Sequence, residues 1–266
     1  MFTRAGNGAL LTRFSVFLTV LCILSQPFAA NSAETVSPVS KERKSSDPER
    51  AKTKLILGVS WQPGFCETSP KTPECTGQTA DRVDARLFSL NGLWTSRKVY
   101  CGVDGALKEQ DKKKNWLDMP ELSLDDSVKL ELAKAMPGTA SGFDRHQWVK
   151  HGTCSGYVAD EYYGRALKLL AALNRSEVQS LFEDNLGATL DEAKVKAAFE
   201  TAFGTGAGDK VKMRCRKDGD RRIITGLTIG LGDMGDGEDD LASLITAAGK
   251  TKFGCAEGVV DEAGLQ

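Results

Sequence analysis

The sequence predicts a single α+β domain, because strand-like and helix-like segments fall in separate blocks rather than in strict alternation. Strand patterns lie near the start and the end of the folded region, and four helical patterns follow one another between them. The 266 residues are 41% hydrophobic and 27% charged, which is typical of a folded protein with a substantial core. No linker or repeat interrupts residues 54–258, so we assign them to one domain.

The first 30 residues have the order of features found in a secretory signal peptide. Arg4 and Arg13 precede an apolar run, Phe14 to Leu24, and small residues follow it. The run is roughly half as long as the ~20 residues of a membrane-spanning helix, so a short membrane anchor is the less favoured alternative. We therefore predict cleavage between residues 29 and 33 and a periplasmic or secreted protein.

Both flanks of the predicted domain are assigned to separate segments. Residues 31–53 contain almost no large apolar side chain, which predicts a flexible leader, and residues 259–266 are assigned to a C-terminal tail.

The formal charge of −1 becomes −3 without the signal peptide, which carries two arginines and no acid. This balance excludes a globally basic nucleic-acid binder, so any site for a polyanion must be local.

Strands are predicted from short apolar runs and from turn residues. Leu55 to Trp61 and Leu87 to Leu90 are interpreted as buried strands. Val211 to Arg216 and Arg221 to Leu231 flank Lys217-Asp218-Gly219-Asp220, which predicts a hairpin with glycine at the position of positive φ.

Helices are predicted from apolar residues at helical spacing and from capping signals. Pro137-Gly138 closes the first predicted helix, and Ser176 and Thr189 begin capping boxes for the last two. The predicted helices span Asp125 to Ala135, Glu161 to Leu173, Glu177 to Leu186 and Leu190 to Phe203.

The cysteines indicate an oxidising compartment. Cys22 leaves with the signal peptide, and the even number that remains in an exported chain predicts three disulfides. A zinc site is the less favoured alternative, because no C-x-x-C pair exists. The six are Cys66, Cys75, Cys101, Cys154, Cys215 and Cys255.

Both histidines of the chain lie within one short segment. In a helix, His146 and Lys150 would lie four residues apart on one ridge, and Gln147 and His151 on the adjoining ridge. Such a patch suits a phosphodiester, because cations offset the charge of the pentacoordinate phosphorus while an imidazole moves a proton. Surface histidines beside a cysteine turn are the alternative.

Three segments resemble the ribonuclease T2 family and occur in the family's order. H-Q-W-V-K-H-G-T-C at residues 146–154 resembles the family's second active-site segment, H-E-W-x-K-H-G-T-C. F-S-L-N-G-L-W at residues 88–94 is similar to the first segment, F-x-x-H-G-L-W-P, and residues 57–66 to the opening strand and loop. The resemblance implies a ribonuclease T2-like fold, in which helices pack around a central antiparallel sheet.

The resemblance also implies an activity and residue roles. The expected protein is an endoribonuclease that cleaves RNA through a 2′,3′-cyclic phosphate, without metal or other cofactor. His151 matches the residue that takes the proton from the 2′-hydroxyl, and His146 and Lys150 match residues that hold the phosphate. Trp94 and Phe143 match aromatic residues that stack on bases.

The disulfide pairing is likewise implied by the resemblance, because six cysteines permit fifteen connectivities and their spacing cannot choose among them. It joins Cys66 to Cys75, Cys101 to Cys154, and Cys215 to Cys255.

Two positions depart from the family pattern. Asn91 stands in place of the histidine that protonates the departing 5′-oxygen, and an amide has no proton to transfer. Gln147 stands in place of a glutamate and cannot carry the charge that supports an imidazolium. We therefore expect strongly weakened cleavage.

A catalytically inactive RNA-binding or structural pseudoenzyme is the alternative, and an unrelated disulfide-stabilised domain is the third possibility. The expected partner is single-stranded RNA, with no membrane association after signal cleavage and a monomeric chain.

Overall fold

A computed structural model describes residues 52–235 and 239–264, which belong to one compact unit. The predicted signal peptide and nearly all of the predicted leader lie outside these residues. The described strands are β1 (Leu55–Trp61), β2 (Phe88–Thr95), β3 (Thr189–Asp191), β4 (Val211–Asp218), β5 (Arg221–Leu231) and β6 (Glu257–Val259). The described helices are α1 (Gln62–Glu67), α2 (Gly105–Lys112), α3 (Asp126–Ala135), α4 (Phe143–Lys150), α5 (Ala159–Leu173), α6 (Glu177–Glu183), α7 (Glu192–Phe203) and α8 (Leu241–Thr246).

The strands form one sheet with the order β2-β1-β5-β6-β3, and β4 pairs with β5. Every pairing is antiparallel except that of β5 with β6, which joins Ile223 to Val259. The α+β class and the central, mainly antiparallel sheet are therefore confirmed.

The hydrophobic core lies on one face of the sheet. Alternate residues of the strands are buried there, because successive side chains of a strand point to opposite faces. Helix α5 packs against this face, and the Tyr162 hydroxyl donates to the Leu93 carbonyl at 2.7 Å. The core residues of the four long strands include Leu57, Val59, Trp61, Phe88, Leu90, Leu93, Val211, Met213, Leu227, Ile229 and Leu231.

Strand β2 continues beyond the predicted end at Leu90. A β-bulge opposite the Gly58–Val59 step leaves Asn91 unpaired, after which Gly92 resumes the pairing with β1. A bulge turns the side chain of the extra residue without ending the strand. The predicted hairpin is present between β4 and β5, with Gly219 at φ 55°.

The predicted start of the last long helix is wrong. Residues 189–191 form β3, and α7 begins at Glu192, where the Asp191 side chain accepts from the Lys194 backbone N–H at 2.8 Å. Thr189 pairs with Val259 of β6 and is therefore part of a strand, so Asp191 rather than Thr189 caps the helix. Helix α6 ends at Glu183, three residues before its predicted end, and α5 begins at Ala159, two residues earlier than predicted.

The assigned C-terminal tail begins inside the fold rather than after it. Val259 belongs to β6, and Val260 and Asp261 are fully buried. The Trp61 indole donates to the Asp261 carbonyl at 2.8 Å, which ties this segment to the end of β1. Residues 259–266 contain few large apolar side chains, so their sequence does not predict that part of this segment is buried.

The described chain has three disulfides, which pair Cys66 with Cys75, Cys101 with Cys154, and Cys215 with Cys255. This is the pairing that the family resemblance implies. Among the described residues, no helix combines the length and the apolar character needed to cross a membrane.

Candidate active site

The bulge in β2 sets the orientation of Asn91. The Asn91 side-chain amide donates to the Ser60 hydroxyl at 3.0 Å, so its side chain lies on the sheet face opposite the core. Ser60 is buried, and neither group titrates near neutral pH. Asn91 can therefore donate a hydrogen bond here but cannot act as a proton donor in a reaction.

Helix α4 carries the histidine segment as far as Lys150 and ends before His151, which the prediction includes in the helix. His146 and Lys150 lie one turn apart in the helix, and His151 is its C-cap residue, with φ −120° and ψ −46°. The Tyr100 backbone N–H donates to the Lys150 carbonyl at 2.8 Å, next to the disulfide between Cys101 and Cys154. The segment after β2 is thus fastened to the end of α4.

Gln147 and Trp94 form the direct contact between α4 and β2. Trp94 Nε1 donates to Gln147 Oε1 at 2.6 Å, and Gln147 is 3% exposed. A side chain at Gly92 would collide with both polar atoms. The glycine in this segment is therefore required by the close approach of the indole and the amide.

His151 lies against Trp94, with ring centroids 5.9 Å apart. Its Nδ1 is buried and has no hydrogen-bond partner among the described residues. Burial lowers the pKa of His151 to about 4, and the positive charge of Lys150 acts in the same direction. His151 is therefore neutral at neutral pH and can accept a proton.

His146 is held in a separate set of contacts. Its Nδ1 donates to Asp111 Oδ1 at 2.7 Å, and its ring stacks on Trp116 and Phe143 at centroid distances of 4.7 and 5.4 Å. Burial lowers the pKa of His146, whereas the Asp111 carboxylate opposes this shift. Because Nδ1 carries the hydrogen, Nε2 is the nitrogen left to contact a ligand.

Asp111 is a residue that the sequence interpretation missed. Its side chain is 1% exposed, and its second oxygen accepts from the Tyr100 hydroxyl at 2.7 Å. The Trp116 indole donates to its backbone carbonyl at 3.0 Å. Asp111 lies 35 residues before His146 in a lysine-rich stretch, so no spacing or composition signal distinguishes it.

The predicted site residues thus form neighbouring groups. Trp94, Gln147 and His151 are in contact, whereas Phe143 contacts His146 and Trp116 rather than Trp94. The positive charge of Lys150 lowers the pKa of both histidines. Within residues 52–235 and 239–264, no cluster of three or more His, Cys, Asp and Glu side chains could hold a metal ion.

Comparisons with known proteins give matches in sequence and structure. A family model described as "Ribonuclease T2 family" matches residues 52–241. Ribonuclease I of Escherichia coli (strain K12) is 25% identical over 186 residues, which cover 61% of this chain and 69% of that protein. Ribonuclease T2-A of Mus musculus is 26% identical over 134 residues, which cover 48% of this chain and 46% of the mouse protein.

The comparison with solved structures includes human RNase T2. Its sequence identity to this chain is 19%, and the match has a TM-score of 0.44. The matched region covers 80% of this chain and 96% of the human chain.

Proposed function

The chain belongs to the ribonuclease T2 family, and we propose that it is an exported protein that binds single-stranded RNA and cleaves it weakly. The reaction is a metal-independent transesterification through a 2′,3′-cyclic phosphate. The observation that carries the proposal is the contact of a neutral His151 with Trp94, beside the ammonium group of Lys150. The three disulfides support export, because such bonds persist in oxidising compartments.

In the first half of the reaction, His151 removes the proton from the 2′-hydroxyl. The 2′-oxygen then bonds to phosphorus, and Lys150 offsets the negative charge that gathers on the phosphoryl oxygens, joined by His146 when its Nε2 is protonated. Lys150 and His146 both belong to α4, whose end is fixed by the Cys101–Cys154 disulfide. These steps have all the groups they need.

The second half lacks a positioned acid. The bond from phosphorus to the 5′-oxygen breaks, and the departing oxygen must take its proton from water because Asn91 has none to give. Gln147 adds no charge to stabilise the imidazolium formed on His151. Cleavage is therefore slow, whereas RNA binding does not depend on proton transfer.

The alternative is an inactive RNA-binding or structural pseudoenzyme. One observation favours it: the amides of Asn91 and Gln147 both form hydrogen bonds with protein partners, Ser60 and Trp94. The test is incubation of the mature protein with single-stranded RNA and detection of 2′,3′-cyclic phosphate ends. A substrate with 2′-deoxyribose is the control, because it lacks the nucleophile. The pseudoenzyme is supported if the protein binds the RNA but produces no more cyclic phosphate ends than the His151→Ala control.

Trp94→Ala is expected to weaken binding of a short single-stranded RNA by roughly 1 to 3 kcal/mol, because one stacked base loses its aromatic partner. Fluorescence anisotropy of a labelled RNA measures the change. Trp94→Phe is the matched control, since it keeps a ring while losing the bond to Gln147, and most of the affinity should remain. Unchanged affinity in Trp94→Ala would leave Trp94 with a packing role alone.

Asp111→Asn is expected to lower the pKa of His146 further, because the carboxylate that opposes the burial effect is lost. A lower pH is then needed to protonate His146, so any gain in RNA affinity that acidification gives through this residue should appear at lower pH than in the wild-type protein. NMR titration can follow each of the two histidines of this chain. The exposed Asp118→Asn variant should leave the midpoint of His146 in place, and an unchanged midpoint in Asp111→Asn would contradict the assignment.

A further inference from the structure

The sheet has a face opposite the core that connects the candidate active site with β4. Core residues alternate with residues of the other face along each strand, so Ser60, Gly226, Lys212 and Arg214 share this second face. Asn91 reaches the same face through its hydrogen bond to Ser60.

One row of paired residues crosses this face from β1 to β4. Ser60 is directly opposite Gly226, and Gly226 is directly opposite Arg214. Two strand spacings separate the Cα atoms of Ser60 and Arg214 by about 10 Å. Because Gly226 has no side chain, the row places no side chain between those of Ser60 and Arg214.

The guanidinium of Arg214 has an unusual environment for this chain. Within the part of the chain that the structure describes, each of the other partly buried arginines has a carboxylate partner: Arg82 with Asp84, Arg145 with Glu121, Arg165 with Asp239, and Arg221 with Glu67. Arg214 is also partly buried, yet among the described residues its side chain has neither an ion pair nor a hydrogen bond. Burial and the charge of Arg216 both lower its pKa.

An unpaired charge that is partly removed from water costs free energy unless an anion compensates it. Basic residues on edge strands often serve only to prevent strand association, and the exposed Lys212 and Arg216 of β4 fit that role. Arg216 in addition donates to the Ser69 hydroxyl at 2.8 Å. Arg214 differs from Lys212 and Arg216 because it is partly buried, and partial removal of its charge from water costs free energy.

We propose that Arg214 binds the RNA phosphate that follows the scissile phosphate toward the 3′ end. This inference rests on the proposed function. Along the face, Trp94 and His151 lie at the β2 side, Asn91 occupies the position associated with the leaving 5′-oxygen, and Ser60 and Arg214 lie beyond it. The downstream nucleotide therefore extends toward β4, where a guanidinium can bind two phosphate oxygens at once.

The experiment compares two RNA probes that differ by one phosphate. Both are dinucleotides with a 2′-deoxy first sugar, which prevents cleavage, and one carries a 3′-terminal phosphate that supplies the downstream group. NMR titration gives the affinity of each probe for the wild-type protein, Arg214→Gln, Arg214→Lys and the control Arg216→Gln. Thermal unfolding verifies that the variants fold.

The wild-type protein and Arg216→Gln are expected to bind the 3′-phosphorylated probe about 10-fold more tightly than the other probe. Arg214→Gln should lose this preference without losing affinity for the probe that lacks the phosphate, and Arg214→Lys should retain part of it. For a longer RNA, the slope of log K against log salt should fall by about 0.7 in Arg214→Gln.

The outcomes distinguish this inference from the proposed function. A preference that persists unchanged in Arg214→Gln, or is absent from the wild-type protein, overturns the role of Arg214 alone. Failure of the wild-type protein to bind either probe or a longer single-stranded RNA overturns both.

Discussion

Replacing two uncharged residues with ionisable ones, in the double variant Asn91→His with Gln147→Glu, is expected to raise the rate of RNA cleavage by about 10² to 10⁴-fold. Histidine at position 91 would supply the proton that the departing 5′-oxygen otherwise takes from water. The bulge already directs this side chain to the face of the sheet that carries Ser60. Most of the gain should therefore appear in Asn91→His alone.

The second substitution changes charge within an existing contact. A glutamate at position 147 can still accept the Trp94 indole hydrogen bond, so the packing at Gly92 is retained. Its negative charge would stabilise the imidazolium of His151 and raise the pKa of that residue. Initial rates on a fluorogenic RNA measure both effects.

The control for this experiment is His151→Ala in the doubly substituted background, where the gain should disappear. A wild-type protein that cleaves RNA as fast as the double variant would falsify the assignment of the missing acid. Another group, such as Lys150, would then be the proton donor. If both proteins bind RNA and neither cleaves it, the pseudoenzyme interpretation holds.

His151→Ala is expected to reduce the residual cleavage of the otherwise unchanged protein by about 10² to 10⁴-fold, with RNA affinity largely preserved. Loss of the proton acceptor affects the reaction, whereas phosphate contact and stacking involve other groups. Rates on a single-stranded RNA, together with anisotropy measurements, separate these effects. Equal cleavage by His151→Ala and the wild-type protein would exclude His151 as the base.

The pH dependence of wild-type cleavage follows from the state of His151. The base must be unprotonated, and burial lowers its pKa from 6.5 to about 4. Activity is therefore retained at mildly acidic pH and is lost only as the pH falls through about 4. Asn91→His should add a decline on the alkaline side, because the new imidazole must be protonated to act as the acid. An acidic limb centred near 6.5 in the wild-type protein would contradict the burial effect.

The features of this protein that depend on local pattern could be predicted from its amino-acid sequence. His146, Gln147, Lys150 and His151 lie in one short segment, so helical geometry brings the first three to adjoining ridges of α4 and leaves His151 directly after its last turn. The strand from Leu55 to Trp61 and the hairpin after Val211 follow from apolar runs and a turn glycine. The replacements at positions 91 and 147 could also be recognised from residue identity alone.

Contacts between groups that are distant in sequence, and the depth of their burial, depend on how the elements pack and could not be predicted. No sequence signal joins Asp111 to His146, because their contact depends on how α2 and the residues around Trp116 pack against α4. The lowered pKa of His151 likewise depends on burial beside Lys150, which residue identity does not specify. Arg214 reaches the face of Asn91 only through strand pairing across Gly226, since register fixes which distant residues share a row.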